Sequence, residues 1–552
     1  MTSARVLFSC LILVTALSCL LILYLFLYLS SRSHSLMPTS AKIISSVNRP
    51  SRAYQVISNS EIKTRFDTLQ ILKCHEPPKT SSVIEKNNKF WQVVKNRDVF
   101  LYSAFYDVRY RYEGENFHFV RIIATARGAL KEGYASNSDD GLMCHFWFPE
   151  RKLPTLVIAE LKEIWIQEFH SHPPADTYHS YLISCPVPHE FKITNTMPSH
   201  VSVSTTECDS LSNFLPVQKE GLSDVRRRLP KRQYLVCVKG LNFIEDISYR
   251  LIEWVELILI LGATKIDFYV YHVHEATWNV LRYYEATGVA QIISMTLPGD
   301  QPNEPDARTR YLKEDVWQKR RNELVTYNDC LYRNMYLYNF IIPLDIDEVP
   351  VPVQEKNWSD MFHRMFKSDP FLLKKYSSFS APNSFFFTKW NQTLPGLSTE
   401  SNLKEQPTTK KTNLFLNIHN YREKFNTKAQ YEEEMTRRKF HMLNHRMRST
   451  NFSRPGHNIK SFVSTKNTLL TFNHYSLYTL LPSLQKNLQL NSSIIQLNHY
   501  QEKCSRYILS ECISTFDRHA VADDIILKYS DQLKIRVEKT HRNLLRYINN
   551  ST

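Results

Sequence analysis

Asp345 and Asp347 stand two residues apart, directly after the apolar run Phe340-Ile341-Ile342-Pro343-Leu344, and Glu348 follows them. In extended chain, side chains at i and i+2 point to one side, so both carboxylates can approach a single cation. Hard divalent ions prefer carboxylate oxygen and bridge readily to phosphate oxygens. Two uncompensated carboxylates repel each other, a cost that a bound cation removes. No Lys or Arg stands beside them in the sequence to do so instead. An isolated D-x-D is more often a solvated turn after a strand. The hydrophobic strand ahead of this one favours a metal site for a phosphate-bearing ligand. A glycine cradle for phosphate is excluded, because the chain has only 11 glycines and contains neither G-x-G-x-x-G nor G-x-x-x-x-G-K-[ST].

Such a pair needs a sheet edge to present it. Tyr234–Val238, Ile266–Tyr271, Val289–Ile293 and Phe340–Leu344 read as short strands. Helices are expected between them over Ile247–Leu261, closed by Gly262, over Ala276–Ala286, closed by Gly288, and from about Lys313 to Tyr338. The loop Leu297–Arg310 precedes the last, and Pro343 predicts a bulge or bend near its strand's end. Strands alternating with helices imply a mostly parallel sheet with flanking helices, an α/β fold. Ligands of such sheets bind beyond the carboxyl ends of the strands, where Asp345–Glu348 falls. His272 and His274 mimic a zinc pair but have no third ligand nearby. Phe385–Phe387 and Trp390 are candidates for stacking on sugar rings, although core packing is the commoner use of such a run.

At 552 residues, with 43% hydrophobic and 12% aromatic content, two folded parts plus tethers are expected. Residues 1–5 read as a cytoplasmic tail and 6–29 as an uncleaved transmembrane anchor, since Val6–Leu29 is apolar and ends in bulky residues. Residues 30–90 read as a stem, 91–216 as a small β-rich module, 217–231 as a linker, 232–500 as the α/β catalytic domain and 501–552 as a helical C-terminal segment. Sequons at Asn357, Asn391, Asn451 and Asn491 suit a body in the secretory lumen, as do those at Asn549 and Asn550. Eight cysteines beyond the anchor, with no C-x-x-C pair, allow up to four disulfides of unspecified pairing. The expected location is a single-pass type II protein of the Golgi or another secretory membrane. The formal charge of +15 suits an anionic ligand, but the basic residues are scattered and no recognition helix or zinc finger accompanies them, so a nucleic-acid partner is not expected.

The ordered series Cys237–Gly240, Leu251–Glu256, Leu261–Thr264, Phe268–Tyr271, Tyr283–Gly288, Asn328–Arg333 and Asp345–Glu348 resembles glycosyltransferase family 92. Tyr102–Arg109 resembles that family's amino-terminal β-rich module. Lys460–Phe462 and His474–Ser476 sit where it has a lysine motif and a histidine. The resemblance runs from Tyr102 to Ser476 and implies a GT-A fold, a UDP-sugar donor, manganese and inversion at the anomeric carbon. The family's characterised activity resembles a β-galactosyltransferase that extends fucose on N-glycan cores. On that pattern Asp347 ligates the metal, Asp345 touches it through water or holds the ribose, and His474 completes its shell. Lys460 neutralises the diphosphate, with Asp329 and Arg333 as further candidates on the nucleotide-sugar side. Glu348 and Glu400 are the candidates for the base that deprotonates the acceptor. Thr326 stands near where relatives carry a glutamine, and Asn391–Arg438 aligns with little. The rival reading is a catalytically inactive lumenal protein binding glycans or nucleotide sugars on the same fold. A metal-dependent phosphohydrolase would need clustered His and Asp ligands that the sequence lacks.

Overall fold

The computed structural model describes residues 87–551 except 113, 135–140, 208–210, 394–427 and 506–507. Among them no helix is long and apolar enough to cross a membrane. The expected span Val6–Leu29, Cys74, Cys208 and Glu400 lie outside the described residues.

The β-rich part is one twisted sheet. Its main strands are β1 (Val99–Tyr112), β2 (Glu115–Arg127), β3 (Met143–Trp147), β4 (Thr155–Ile158), β5 (Glu160–Glu163), β6 (Tyr178–Pro186), β7 (His200–Ser204) and β8 (Leu215–Gln218). Their spatial order is β5-β6-β2-β1-β8-β7-β3-β4. All neighbours are antiparallel except β8 with β1. β8 takes up Val217 and Gln218, so the expected linker begins two residues later than the sequence suggested. The disulfide Cys144–Cys185 ties β3 to β6.

The α/β part starts at β9 (Arg232–Phe243), followed by α1 (Ser248–Leu261), β10 (Lys265–Val273), α2 (Glu275–Ala286) and β11 (Ala290–Ser294). Then come α3 (Pro305–Glu314), α4 (Val316–Asn334), β12 (Tyr338–Leu344) and β13 (Glu348–Pro352). Gly262 ends α1 with φ 121°, a backbone conformation that a side chain would disfavour. The helix expected from about Lys313 to Tyr338 is α4, which starts at Val316 under a cap from the Asp315 carboxylate to the Gln318 amide and ends at Asn334, while α3 takes up the end of the expected loop Leu297–Arg310. β11-β10-β9-β12 run parallel, in that order. β16 (Lys460–Ser464) then adds antiparallel to β12 and to β14 (Ser378–Ala381). Pro343 stays in register with Cys237 and makes no bulge there, while pairing with β16 stops at Ile341. A smaller sheet sets β17 (Ile495–Gln501) between β13, antiparallel, and β15 (Asn383–Phe387), parallel.

Alternation along the parallel strands decides what packs where. Val236, Val238, Phe268, Ile342 and Leu344 face one side, against α1, α2, Trp358 and Phe362 and the C-terminal helix α5 (Ser530–Ser551). Glu256 of α1 locks that layer by accepting from Tyr284, Arg536 and Thr540. Leu235, Cys237, Tyr269 and Ile341 face the other side, where α4 lies between this sheet and the β-rich one in a single continuous core. Cys237–Cys330 joins β9 to α4. Phe385, Phe387 and Trp390 are buried with the Cys504–Cys512 loop, so this run is core.

Candidate functional site

The pairing of β9 with β12 ends with Val238 opposite Leu344, the last residue of β12. Beyond that point the ladder between β9 and β10 slips, so that two residues of β9, Lys239 and Gly240, oppose one of β10, Tyr269, between Val238 and Leu241. The bulge re-aims Lys239 across the sheet edge. Gly240 is required there, because a Cβ would lie 2.1 Å from the Tyr271 ring. The Lys239 ammonium reaches Asp345 Oδ1 at 2.9 Å and Glu323 Oε1, on α4, at 3.0 Å. Lys460 begins β16, which runs back to the same edge, and its Nζ donates to Asp345 Oδ2 and meets Glu348 Oε2, each at 3.1 Å. The Asp345 amide also donates to Glu348 Oε2, at 3.1 Å.

Four carboxylates (Glu323, Asp345, Asp347, Glu348) therefore face two ammonium groups. Burial raises the Asp345 carboxyl, but Lys239 and Lys460 outweigh it and hold the group far below the usual carboxylate range. Burial prevails at Glu348, whose carboxyl is raised despite Lys460. Lys460 itself is 3% exposed. Burial lowers its pKa, and Asp345 and Glu348 outweigh that to keep it charged.

Asp347 is different. Its side chain is 31% exposed and no Lys or Arg among the described residues reaches it. It faces His499, whose Nε2 lies 3.5 Å from Asp347 Oδ2 and whose Nδ1 lies 3.7 Å from Glu348 Oε1. The antiparallel pairing of β13 with β17 makes this meeting, by setting Glu348 opposite His499. Phe385 backs the imidazole at a ring distance of 5.1 Å. Burial lowers the His499 pKa and Asp347 outweighs it, so the net shift is upward.

The expected site residues thus separate. Asp345, Asp347, Glu348 and Lys460 come together, but Asp345 is neutralised by two lysines remote in sequence, against the expectation of bare surroundings. Glu348 engages Lys460 and the Asp345 amide and is 3% exposed, which suits a positioning group rather than a base open to an acceptor. His474 does not join Asp347. Its Nδ1 bonds the Ile459 carbonyl at 2.8 Å, and burial, then Lys460, push its imidazole down to about 3. Asp329 and Arg333 lie elsewhere, in the joint between the two sheets. Asp329 is fully buried and accepts from Ser103 at 2.6 Å and Tyr269 at 2.5 Å, while Arg333 pairs with it and donates to Gln218. Neither touches the acidic edge. Lys239, Glu323 and His499 went unread in the sequence. The sequence holds Asn-His-Tyr twice, at 473–475 and at 498–500, and nothing local singles out His499.

Among the described residues, no three His, Cys, Asp or Glu side chains form a group able to hold a metal. Asp347 and His499 still offer a carboxylate oxygen and an imidazole nitrogen, a donor pair that suits manganese when phosphate oxygens and water supply the rest. Among the sequons, Asn357 caps its helix through the Asp360 amide, Asn451 donates to the Thr515 carbonyl, and Asn491 accepts from the Ser493 amide. Asn391 falls in the 3-10 segment Thr388–Thr393.

No curated protein matches the chain. The family model of glycosyltransferase family 92 matches residues 232–537, which begin with the first residue of β9 and take in every group of the charged edge. A match over more than half of the chain, centred on this edge, makes the protein a member of glycosyltransferase family 92.

Proposed function

We propose that this glycosyltransferase moves a hexose, galactose from UDP-galactose, to a hydroxyl of a glycan acceptor such as a fucosylated N-glycan core, with inversion and with Mn2+ as cofactor. The observation that carries the metal reading is Asp347, the acidic group of the edge that no ammonium among the described residues compensates. Asp347 and His499 would hold the ion, which when bound would stabilise the charge growing on the departing diphosphate. We further read the four parallel strands with their antiparallel extension as a GT-A-like core.

In this reading the acceptor oxygen bonds to the anomeric carbon as the bond from that carbon to the phosphate oxygen breaks. UDP leaves with the electron pair, and the acceptor proton passes to a carboxylate. Lys239, 26% exposed in its side chain, adds positive charge beside the diphosphate. Lys460 lies beneath, fixing Asp345 and Glu348. Glu348 is enclosed, which favours as the base an acidic residue of the Pro382–Glu405 segment, such as Glu400. The three disulfides suit an oxidising lumen, in keeping with a type II protein of the Golgi or another secretory membrane.

The lysines on Asp345 favour a second reading, a protein that binds the nucleotide sugar without turnover, because half of the acidic pair is already neutralised. UDP-sugars offered with fucosylated N-glycan acceptors, with and without Mn2+, separate the two. Transfer that requires Mn2+ and disappears in Asp347→Ala is expected. Transfer persisting in a folded Asp347→Ala with unchanged metal dependence overturns the assignment, and binding without transfer or donor hydrolysis selects the second reading.

A further inference from the structure

α4 runs toward the amino-terminal end of β12, so its first turn projects beyond the opposite edge, where Glu323 meets Lys239. Trp317 stands on that turn. His170, from the connection between β5 and β6 of the β-rich sheet, stacks on it with ring centroids 5.3 Å apart. Phe169 of the same connection stacks on Phe472 at 5.7 Å, and Phe472 meets Tyr475 at 6.3 Å. Phe169, His170, Trp317 and Tyr475 are all partly exposed, which makes an aromatic shelf assembled from both halves of the molecule.

The shelf adjoins the charged edge through His474. Its ring lies 5.8 Å from that of Phe472, and its carbonyl accepts from Ser461, the residue after Lys460. Beneath the shelf lie buried polar nitrogens without partners. Arg321 is 1% exposed, sits 4.1 Å over Trp165 and pairs through Nη1 with Glu163 at 2.8 Å, yet its Nε and Nη2, with Trp165 Nε1 and His170 Nδ1, have no hydrogen-bond partner among the described residues. Buried polar atoms are nearly always satisfied, so a cluster of exceptions calls for an explanation. Burial, then the Glu168 carboxylate, raises the Tyr475 pKa, so an acceptor lies within electrostatic reach of that ring. Apolar rings ringed by polar groups suit a ligand whose faces are C–H and whose edges are hydroxyls.

We propose that this shelf is the acceptor subsite, where a pyranose ring of the glycan lies against Trp317, His170 and Tyr475. The proposal rests on the glycosyltransferase reading and gives the β-rich module a task, since it supplies Phe169 and His170.

The full chain is assayed with UDP-galactose, Mn2+ and a panel of fucosylated N-glycan core, N,N′-diacetylchitobiose and N-acetyllactosamine. In parallel, saturation-transfer NMR reports binding of the same glycans without need of turnover. Trp317→Ala and Tyr475→Ala are expected to raise the acceptor KM about tenfold, the size of one lost ring contact, and to weaken the glycan signals. Donor KM and donor hydrolysis should stay unchanged, and Trp317→Phe should restore the acceptor KM. Equal losses in donor hydrolysis, an unaltered acceptor KM, or no glycan signal on the wild type overturns the proposal. If the wild type shows neither transfer nor hydrolysis, the catalytic reading fails by itself, and the NMR comparison still decides the shelf.

Discussion

The two aspartates of the edge look alike in sequence and are held in opposite ways, so the same substitution at each should give opposite results. Asp345→Asn keeps the shape and removes the charge that binds Lys239 at 2.9 Å and Lys460 at 3.1 Å. A hydrogen bond to a charged group contributes about 1.5–3 kcal/mol. The amide oxygen still accepts one bond, and Lys239 and Lys460 keep Glu323 and Glu348, so the expected loss is about 2–4 kcal/mol rather than the full sum. Asp347→Asn removes a partly exposed charge whose one imidazole partner lies beyond hydrogen-bond distance at 3.5 Å, so its stability should stay within about 0.5 kcal/mol of wild type. Metal binding should reverse the order. Mn2+ affinity in the presence of UDP should fall more than about a hundredfold for Asp347→Asn and about tenfold or less for Asp345→Asn, which acts only by positioning. Urea unfolding followed by tryptophan fluorescence gives the first quantity, and electron paramagnetic resonance of free Mn2+ the second. Equal destabilisation, or a greater loss of metal at Asp345, would show that the lysines do not neutralise Asp345 as described.

Gly240→Ala places a methyl 2.1 Å from Tyr271 and should cost about 1–3 kcal/mol in urea unfolding; Tyr271→Ala in the same chain should recover part of it, and additive losses would refute the contact. Removing the Cys237–Cys330 crosslink, which closes a separation of 93 residues, with Cys237→Ser and Cys330→Ser should cost about 2–4 kcal/mol, checked by denaturation under non-reducing conditions. Burial pushes the Glu253 carboxyl from 4.5 up to about 8, so the folded chain keeps a proton that the unfolded chain releases between those values. Stability should therefore fall as pH rises through that window, and Glu253→Gln should flatten the profile. An unchanged slope in the variant would assign the dependence to other groups.

The parallel core was legible because each strand and helix there signals itself locally. Apolar runs too short for helices lie between amphipathic stretches, and α1 ends on a glycine. The break at Asp315 was legible in principle, as an aspartate followed three residues later by glutamine at a helix start. The β-rich order was not legible, since β1 pairs with β8 across more than a hundred residues and nothing local sets that partner.

The site divides along the same line, and the division explains its chemistry. The apolar run ahead of Asp345 and Asp347 put them at the carboxyl end of β12, where they lie in the turn to β13, but charge compensation is decided by whatever the fold brings from afar. Lys239 arrives through a bulge that depends on a glycine and a tyrosine ring. Lys460 arrives on a returning antiparallel strand, and His499 arrives through the register of β13 with β17. A one-residue slip in that last register would turn His499 to the opposite face and bring up Tyr500, which packs against Phe386 and His445. The choice between His474 and His499 is therefore a question of strand register, which motif order along the chain does not contain. The same register leaves Asp347 the exposed carboxylate, so the pairing of two short strands sets where the proposed cation would bind.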